Sequence, residues 1–295
     1  IFFFSIAKVE AKAFDINNIE ISEPFEMGFN KKKVIDKGFK KAFSELFLLI
    51  TNSSDQTKIK KTKLNEIKSM VDSFSIKEEK FINEIYHVSL DVSFNRKKIF
   101  NFLEKKNVFP SVPLKKNIFF LPIIIDENKK DLLIFSNNKI FNEWNNDIKS
   151  FHLLEYILPS EDLEHINLIK SNYEFIEQYD FKEIIANYYL KDSIIALIFK
   201  NENEVRVLSR ININDNIILK NESFSNTDVD DLKKIKEIIV SLKIIYEDYW
   251  KSFNQINTSI KLILNIKVAN ENNNRISNFE ETLNDHDLIN DFLMS

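Results

Sequence analysis

Near the start of the chain, the spacing of apolar residues changes at Lys31. Before it, the segment 14–25 carries Ile16, Ile19 and Ile21 among polar residues and stops at Pro24, a pattern typical of an extended strand. After it, apolar residues recur every three or four positions, which predicts a helix ending at the polar cluster 51–54. The apolar stripe of this helix consists of Val34, Phe39, Ala42, Phe43, Leu46, Phe47 and Ile50.

The elements predicted next continue the mixture of helix and strand. A second helix is expected through Leu64 and Val71, followed by a long strand over 79–94 that is rich in β-branched residues. Asn95 is expected to cap a short helix. The run 118–125 is almost entirely apolar, which is typical of a strand buried on both faces.

Beyond residue 126 the pattern predicts a further set of short elements. Phe141 and Trp144 are expected to pack inward from a short helix, and Ser160 is expected to cap another. The set comprises a strand over 132–135, a helix over 138–144, an apolar run over 153–158, a helix over 174–190, a meander of strands over 194–199, 205–211 and 217–219, a helix over 232–253 preceded by the near capping box Thr227–Asp230, a strand over 260–268 and a helix over 279–293.

This order predicts an α/β fold of the α+β type, with two small modules in which a mixed β-sheet packs with helices. We place the boundary at the polar triplet 145–147, which gives an N-terminal module over 14–147 and a C-terminal module over 148–295. If the natural chain continues past residue 295, the last helix belongs to a third, incomplete module. With 44% hydrophobic residues, the chain can bury one large core or two smaller ones.

Residues 1–13 have the pattern of the end of a secretory signal peptide. The apolar start IFFFSIA is followed by the small-x-small motif that signal peptidase accepts, either Val9-x-Ala11 or Ala11-x-Ala13. Because the chain opens with Ile1, the positively charged start of such a signal is expected to be missing. The alternative is a buried strand without a targeting role. We expect export to the periplasm of a Gram-negative bacterium.

A membrane anchor is not expected. No other stretch is apolar for the roughly 18 residues that a membrane span needs. The chain has no cysteine, which excludes a disulfide framework and the lipidated cysteine of a lipoprotein. We therefore expect a free periplasmic protein.

The charge pattern does not favour a nucleic-acid partner. The net charge is −4, and basic and acidic residues are mixed along the chain, whereas a nucleic-acid surface needs basic residues concentrated on one face. The basic runs are 31–33 and 58–63. We interpret them as a solvated helix start and a loop, with a phosphate or lipid-headgroup site as the alternative.

Several kinds of catalytic site are excluded by the residues that are missing. Without cysteine there is no thiol catalysis. Gly28 and Gly38 are the only glycines, so the chain lacks both the glycine-flanked elbow of serine hydrolases and a glycine-rich phosphate-binding loop. No cofactor is expected.

The histidines do not indicate a metal site. His87, His152, His165 and His286 are not spaced as ligands on one helix face. The nearest approach to a metal constellation is Glu161 and His165, four residues apart, with Asp162 beside them; an ordinary ion pair at a helix start is the alternative. His87 is expected to be a hydrogen-bonded structural imidazole within a strand.

Paired carboxylates are an open alternative, because only their separation in space defines a glycosidase-type pair. Glu247 and Asp248 lie on the long helix, where a polar face explains them. Asp285 and Asp287 flank His286 and are interpreted as a solvated turn.

Tyrosine and tryptophan side chains are candidates for a binding surface. They include the pair Tyr188–Tyr189. Tyr246 and Tyr249 are expected to pack against the core, whereas Trp250 lies off the apolar stripe and is the better candidate for an exposed contact. No catalytic, cofactor-binding or metal-binding residue is assigned.

Three segments resemble a family of uncharacterised proteobacterial envelope proteins, the domain-of-unknown-function family two-zero-six-six. They are YHVSLDVSF at 86–94, LLEYILPSEDL at 153–163 and IANYYLKDSIIAL at 185–197. The resemblance spans roughly residues 14–222 and rests on apolar spacing. Family members often have a tryptophan and Arg-Pro before the central strand, where this chain has FPSVPL at 109–114. The family implies a compartment and a fold, but no activity.

The helix and strand over 181–199 are also similar to small α/β domains of periplasmic assembly factors, such as the amino-terminal domain of the Tol-system propeller protein. This similarity is at the level of fold, which does not imply function.

Three functions are consistent with these patterns. The first is a noncatalytic module that binds another envelope protein, which the missing catalytic motifs favour. The second is a carboxylate-dependent hydrolase of envelope polysaccharide or peptide, which requires two acidic side chains in one concave pocket. The third is a small-ligand binding protein, which requires an apolar cleft with a few convergent polar groups.

Overall fold

The structure, a computed structural model, describes residues 14–201, 204–225, 229–258, 260, 263, 265–266 and 273–285. These residues form two compact units: unit 1 takes the chain up to Pro113 and from Lys251 onward, and unit 2 takes Leu114–Trp250. Each unit contains one β-sheet with helices packed on it. The predicted α/β class is confirmed.

The bounds of the described elements are as follows. The strands are β1 (Asp15–Pro24), β2 (Val71–Ile82), β3 (Ile85–Phe94), β4 (Lys116–Asp126), β5 (Asp131–Leu133), β6 (Leu154–Ile157), β7 (Ser193–Lys200), β8 (Glu204–Ile213) and β9 (Asn216–Ser225). The helices are α1 (Lys31–Ile50), α2 (Gln56–Ile59), α3 (Leu64–Met70), α4 (Arg96–Lys105), α5 (Lys139–Glu143), α6 (Leu163–Ser171), α7 (Lys182–Ala186), α8 (Leu232–Phe253) and α9 (Asn273–Asp285).

Unit 1 is built on an antiparallel sheet with the strand order β1-β3-β2. All the stripe residues predicted for α1 are buried, and alternate residues of β3 are buried with them in one core. Asn30 caps α1, because its Oδ1 accepts hydrogen bonds from the amides of Lys32 and Lys33. The central strand and the helix thus share the core that the apolar spacing predicts.

Gly38 brings α1 close to β3. A Cβ atom at this position would lie 2.3 Å from Cδ1 of Leu90, a fully buried side chain. Gly38→Ala is therefore expected to lower the free energy of unfolding by about 1 kcal/mol, because the overpacking exceeds the gain in helix propensity. Urea unfolding followed by circular dichroism measures the change. Shortening the contacting side chain provides the control: Gly38→Ala with Leu90→Val should cost less than the two single changes added together, and strict additivity would contradict the close contact.

The prediction of one continuous strand over 79–94 is wrong, because the structure has a hairpin there. Strands β2 and β3 are joined by Asn83 and Glu84, both with positive φ, 50° and 60°. This is the backbone conformation of a tight hairpin turn, and such turns usually contain glycine. Because neither residue is glycine, the sequence pattern did not indicate a turn here. The helix predicted through Val71 ends at Met70.

Unit 2 is built on a six-stranded sheet with the order β5-β4-β7-β8-β9, in which β6 also pairs with β4. Strands β4, β6 and β7 are parallel to one another, and the remaining pairs are antiparallel. One face of the sheet packs with α6 and α7. The opposite face packs with α8, where the hydroxyls of Ser209 and Tyr246 lie 2.6 Å apart. β4 is buried on both faces, as predicted.

Pro122 lies in the middle of β4, at a point where no described strand pairs with one edge of β4. On that edge β6 pairs with residues 116–119 and β5 with residues 124–126. Proline has no amide hydrogen to donate, so it is tolerated in this gap. The buried side chain of Asn138 fills the gap, donating from Nδ2 to the Pro122 carbonyl at 3.0 Å.

The module boundary predicted at residue 147 falls inside unit 2. β4 precedes this point and pairs with β6 and β7, which follow it. Parallel strands need a connection that crosses the sheet, so the polar segment 145–147 belongs to a crossover and not to a linker. The structure divides the chain at 113/114 and 250/251 instead.

Two predictions about helices in unit 2 are corrected. Asp162, and not Ser160, caps α6 by accepting a hydrogen bond from the amide of Glu164 at 2.7 Å. The helix predicted over 174–190 is interrupted, and only α7 is α-helical, because Phe181 takes a left-handed conformation with φ of 56°.

Some predictions concern residues outside the described part. Residues 1–13, Thr227 and 286–293 lie outside it entirely. Of the strand predicted over 260–268, the four described residues belong to no regular element, and the others lie outside the described part. Among the helices that the structure describes, none combines the length and apolarity needed to cross a membrane.

Candidate functional site

Unit 1 has an open groove lined mainly by aromatic side chains, with a volume of about 370 Å³. We call it the aromatic groove. Its lining residues come from the loop between β1 and α1, the first turn of α1, and the strands β2 and β3. They are Phe25, Phe29, Lys31, Glu79, Lys80, Phe81 and Tyr86.

The aromatic side chains of the groove contact one another. The ring of Phe25 lies 4.6 Å from that of Phe29 and 4.8 Å from that of Phe81. Phe29 contacts the ring of Tyr86 at 5.0 Å. The amide of Phe25 also donates to the carbonyl of Glu84 at 2.7 Å, which fastens the loop to the hairpin turn. The loop is therefore held in place by both backbone and side chains.

Three polar groups meet at one side of the groove. Nζ of Lys31 donates to both carboxylate oxygens of Glu79 at 2.8 Å, and the hydroxyl of Tyr86 donates to Oε1 at 2.9 Å. Hydrogen bonds from Lys31 and Tyr86 lower the pKa of Glu79. The pKa of Lys31 is raised, chiefly by its bond to Glu79, and burial raises the pKa of Tyr86. At neutral pH the trio is a carboxylate neutralised by one ammonium.

The strand β2 forms one wall of the groove and is an edge strand. It pairs with β3 on one side, and none of the described residues pairs with its other side. Every residue of β2 after Val71 is exposed. Four of its side chains lie opposite buried residues of β3 and project from the face that α1 covers only in part. They are Phe74, Ile76, Glu79 and Phe81.

A β-bulge at Lys77 keeps this row of side chains on one face. The pairing register shifts between Ile76 and Glu78, so that one additional residue enters β2. A strand turns successive side chains to opposite faces, and the extra residue restores Phe81 to the face that carries Phe74. Phe81 falls within the strand predicted over 79–94, and its side chain is 58% exposed.

The structure does not bring the sequence-predicted metal candidates together. No group of three histidine, aspartate or glutamate residues suited to a metal ion occurs in the described part of the chain. Nε2 of His165 lies 3.0 Å from Nδ2 of Asn187. His87 contacts the hydroxyl of Ser22 at 2.8 Å, and His152 accepts a hydrogen bond from the amide of Lys149. His286 lies outside the described residues.

The two carboxylates on α8 have different surroundings. Glu247 is buried and accepts hydrogen bonds from the amides of Leu153 and Leu154 at 3.0–3.1 Å, whereas Asp248 is half-buried. One turn earlier, the buried Lys243 donates to the Asp147 carbonyl at 3.1 Å, and burial lowers its pKa. These contacts hold backbone segments in place, which is a structural role. Asp285 is the last residue of α9, and Asp287 lies outside the described part.

The prediction for Trp250 as an exposed contact is wrong. Its side chain is buried, and Nε1 donates to the carbonyl of Leu114 at 2.7 Å. Tyr246 is buried as predicted, and Tyr249 is half-buried. Tyr188 accepts a hydrogen bond from the amide of Ser160. The adjacent Tyr189 is almost fully exposed.

No protein-family model matches this chain, and no curated protein matches it. The resemblance to the envelope family therefore stays a prediction, as do export and the periplasmic compartment.

Proposed function

We propose that the protein is an exported, noncatalytic periplasmic module that binds an extended apolar segment of another envelope protein in the aromatic groove. The observation that carries the proposal is the groove itself, which combines exposed aromatic rings with the edge of a β-sheet. Phe25 is 50% exposed and Phe81 is 58% exposed. Contiguous exposed apolar surface of this kind typically marks an interaction site.

The chemistry of the groove supports a binding role. Its apolar floor is accompanied by one polar trio, an arrangement typical of binding sites with a few orienting groups. A carboxylate-dependent hydrolase requires two acidic side chains facing one substrate. Among the groove-lining residues Glu79 is the only carboxylate, and it is engaged by Lys31 and Tyr86. The groove thus favours the binding module over the hydrolase.

A defined peptide tests the proposal. We expect the fluorescein-labelled peptide KTVTVTFTK to bind the chain saturably in fluorescence anisotropy, because it presents apolar side chains at alternate positions. Phe81→Ser should weaken binding at least tenfold by removing an exposed ring from the groove. The matched control is Ile244→Ser, which removes an exposed apolar side chain from α8 in unit 2 and should leave binding unchanged.

The same variants test for a natural partner. An envelope protein that is recovered by the wild type and by Ile244→Ser, but lost with Phe81→Ser, supports the groove as the binding site. Peptide binding that is absent, or equal in both variants, contradicts the proposal. Saturable binding of palmitate instead of peptide, lost with Phe81→Ser, would assign the groove to a small ligand and also overturn it.

A further inference from the structure

We infer that the segment bound in the aromatic groove binds as an additional β-strand on the outer edge of β2. This inference rests on the proposed function and specifies its binding mode. The outer edge of β2 carries backbone amides and carbonyls that no described residue pairs with. The ligand whose own groups match a row of backbone donors and acceptors is another extended chain.

The side chains of β2 support strand addition at this edge. An added strand places alternate side chains about 5 Å from those of its neighbour, on the same face. On β2 the neighbours on the face towards α1 are Phe74, Ile76 and Phe81, which are 47%, 38% and 58% exposed. A strand with apolar residues at alternate positions that pairs beside the groove would cover Phe81, and Phe74 and Ile76 continue the exposed apolar row beyond the bulge. The same strand would form backbone hydrogen bonds with the edge of β2 and apolar contacts with the rings of the groove.

The opposite edge of the same sheet is less suited to an added strand. β1 forms that edge, and its Ile16 and Ile19 are buried in the core of unit 1. Its remaining exposed positions are mostly polar. Strand addition at β1 would therefore gain backbone pairing without apolar contacts, whereas β2 offers both.

The bulge limits how much of β2 can pair. A β-bulge bends its strand and interrupts regular pairing, and it is a common device against unspecific edge association. The bulged Lys77 forms an ion pair with Asp91 at 3.2 Å. Residues 78–82 lie beyond the bulge and adjoin the groove. The added strand is accordingly assigned to these five residues, a short pairing that suits reversible binding.

Two versions of one peptide distinguish strand addition from other binding modes. In an added strand, alternate peptide amides point towards β2 and the others point to solvent. We therefore expect KTVTVTFTK methylated on the backbone nitrogens of its even-numbered residues, and the version methylated on its odd-numbered residues, to differ at least tenfold in affinity for the wild-type chain. Equal affinity of the two versions would overturn strand addition.

Amide hydrogen exchange locates the edge. With saturating unmodified peptide, amides of alternate residues within 78–82 should exchange at least tenfold more slowly, whereas those of β9, the edge strand of unit 2, should not change. Saturable, Phe81-dependent binding without protection in β2 would overturn strand addition and leave the proposed function standing. Failure of every peptide to bind would overturn both.

Discussion

Replacing Glu247 with alanine is expected to lower the free energy of unfolding by about 3 kcal/mol. The carboxylate is buried and accepts hydrogen bonds from two backbone amides, those of Leu153 and Leu154. Leu153 precedes β6 and Leu154 is its first residue, and β6 pairs with the start of β4. Alanine leaves both buried amides without their acceptor, and each unsatisfied group costs about 1–3 kcal/mol. Urea unfolding followed by far-ultraviolet circular dichroism measures the loss.

Glu237→Ala on the same helix provides the control for the Glu247 prediction. Glu237 is exposed, and its ion pair with Lys234 at 3.0 Å is a surface pair. Its removal should change the free energy of unfolding by less than about 0.5 kcal/mol. If the two alanine variants were equally stable, the Glu247 carboxylate would not hold the segment before β6, contrary to the geometry.

The long helices could be predicted from sequence because their signal is spread over many residues. In α1 and α8 the apolar period persists for 20 and 22 residues, and one irregular position does not mask it. The buried strand β4 could also be predicted, because a nearly continuous apolar run of this length is typical of a strand buried on both faces.

Turns were the main failure, and the scarcity of glycine explains it. Positive φ angles are usually signalled by glycine, but at the turns that were missed they fall on Asn83 and Glu84 in a hairpin and on Phe181 before α7. Phe181 is fully buried, so its packing in the core of unit 2 outweighs its backbone preference. A helical pattern across it therefore predicted one helix where the chain turns.

The aromatic groove could not be predicted from the sequence, because it is defined by which apolar side chains remain exposed to solvent. Its residues come from three stretches of sequence, 25–31, 79–81 and 86, which the sheet pairing and the loop bring together. Apolar spacing indicates which face of a strand points towards a core, but not whether a helix covers that strand. The available signal was the run of large apolar residues at 81–82 beside the polar pair at 83–84. It fits an exposed hairpin tip as well as a strand interior.

Trp144→Ala is expected to lower the free energy of unfolding by about 4 kcal/mol. The sequence pattern predicted that this side chain packs inward, and the structure confirms complete burial. Its ring stacks on Phe120 with centroids 3.9 Å apart and meets the edge of Tyr156 at 5.2 Å. Nζ of Lys243 lies 5.5 Å from the ring centroid. Truncation leaves a large cavity beside β4 and removes one of two aromatic rings beside a buried ammonium, the other being Tyr156 at 5.9 Å.

Trp144→Phe separates lost volume from lost polarity. Nε1 of Trp144 has no hydrogen-bond partner among the residues that the structure describes, so phenylalanine removes no described hydrogen bond and should cost about 1–2 kcal/mol, well below the alanine variant. Urea unfolding followed by far-ultraviolet circular dichroism compares the two variants without relying on tryptophan fluorescence. Equal destabilisation by alanine and phenylalanine would show that packing volume does not set the stability at this position, and a loss below about 1 kcal/mol for alanine would contradict its place in the core.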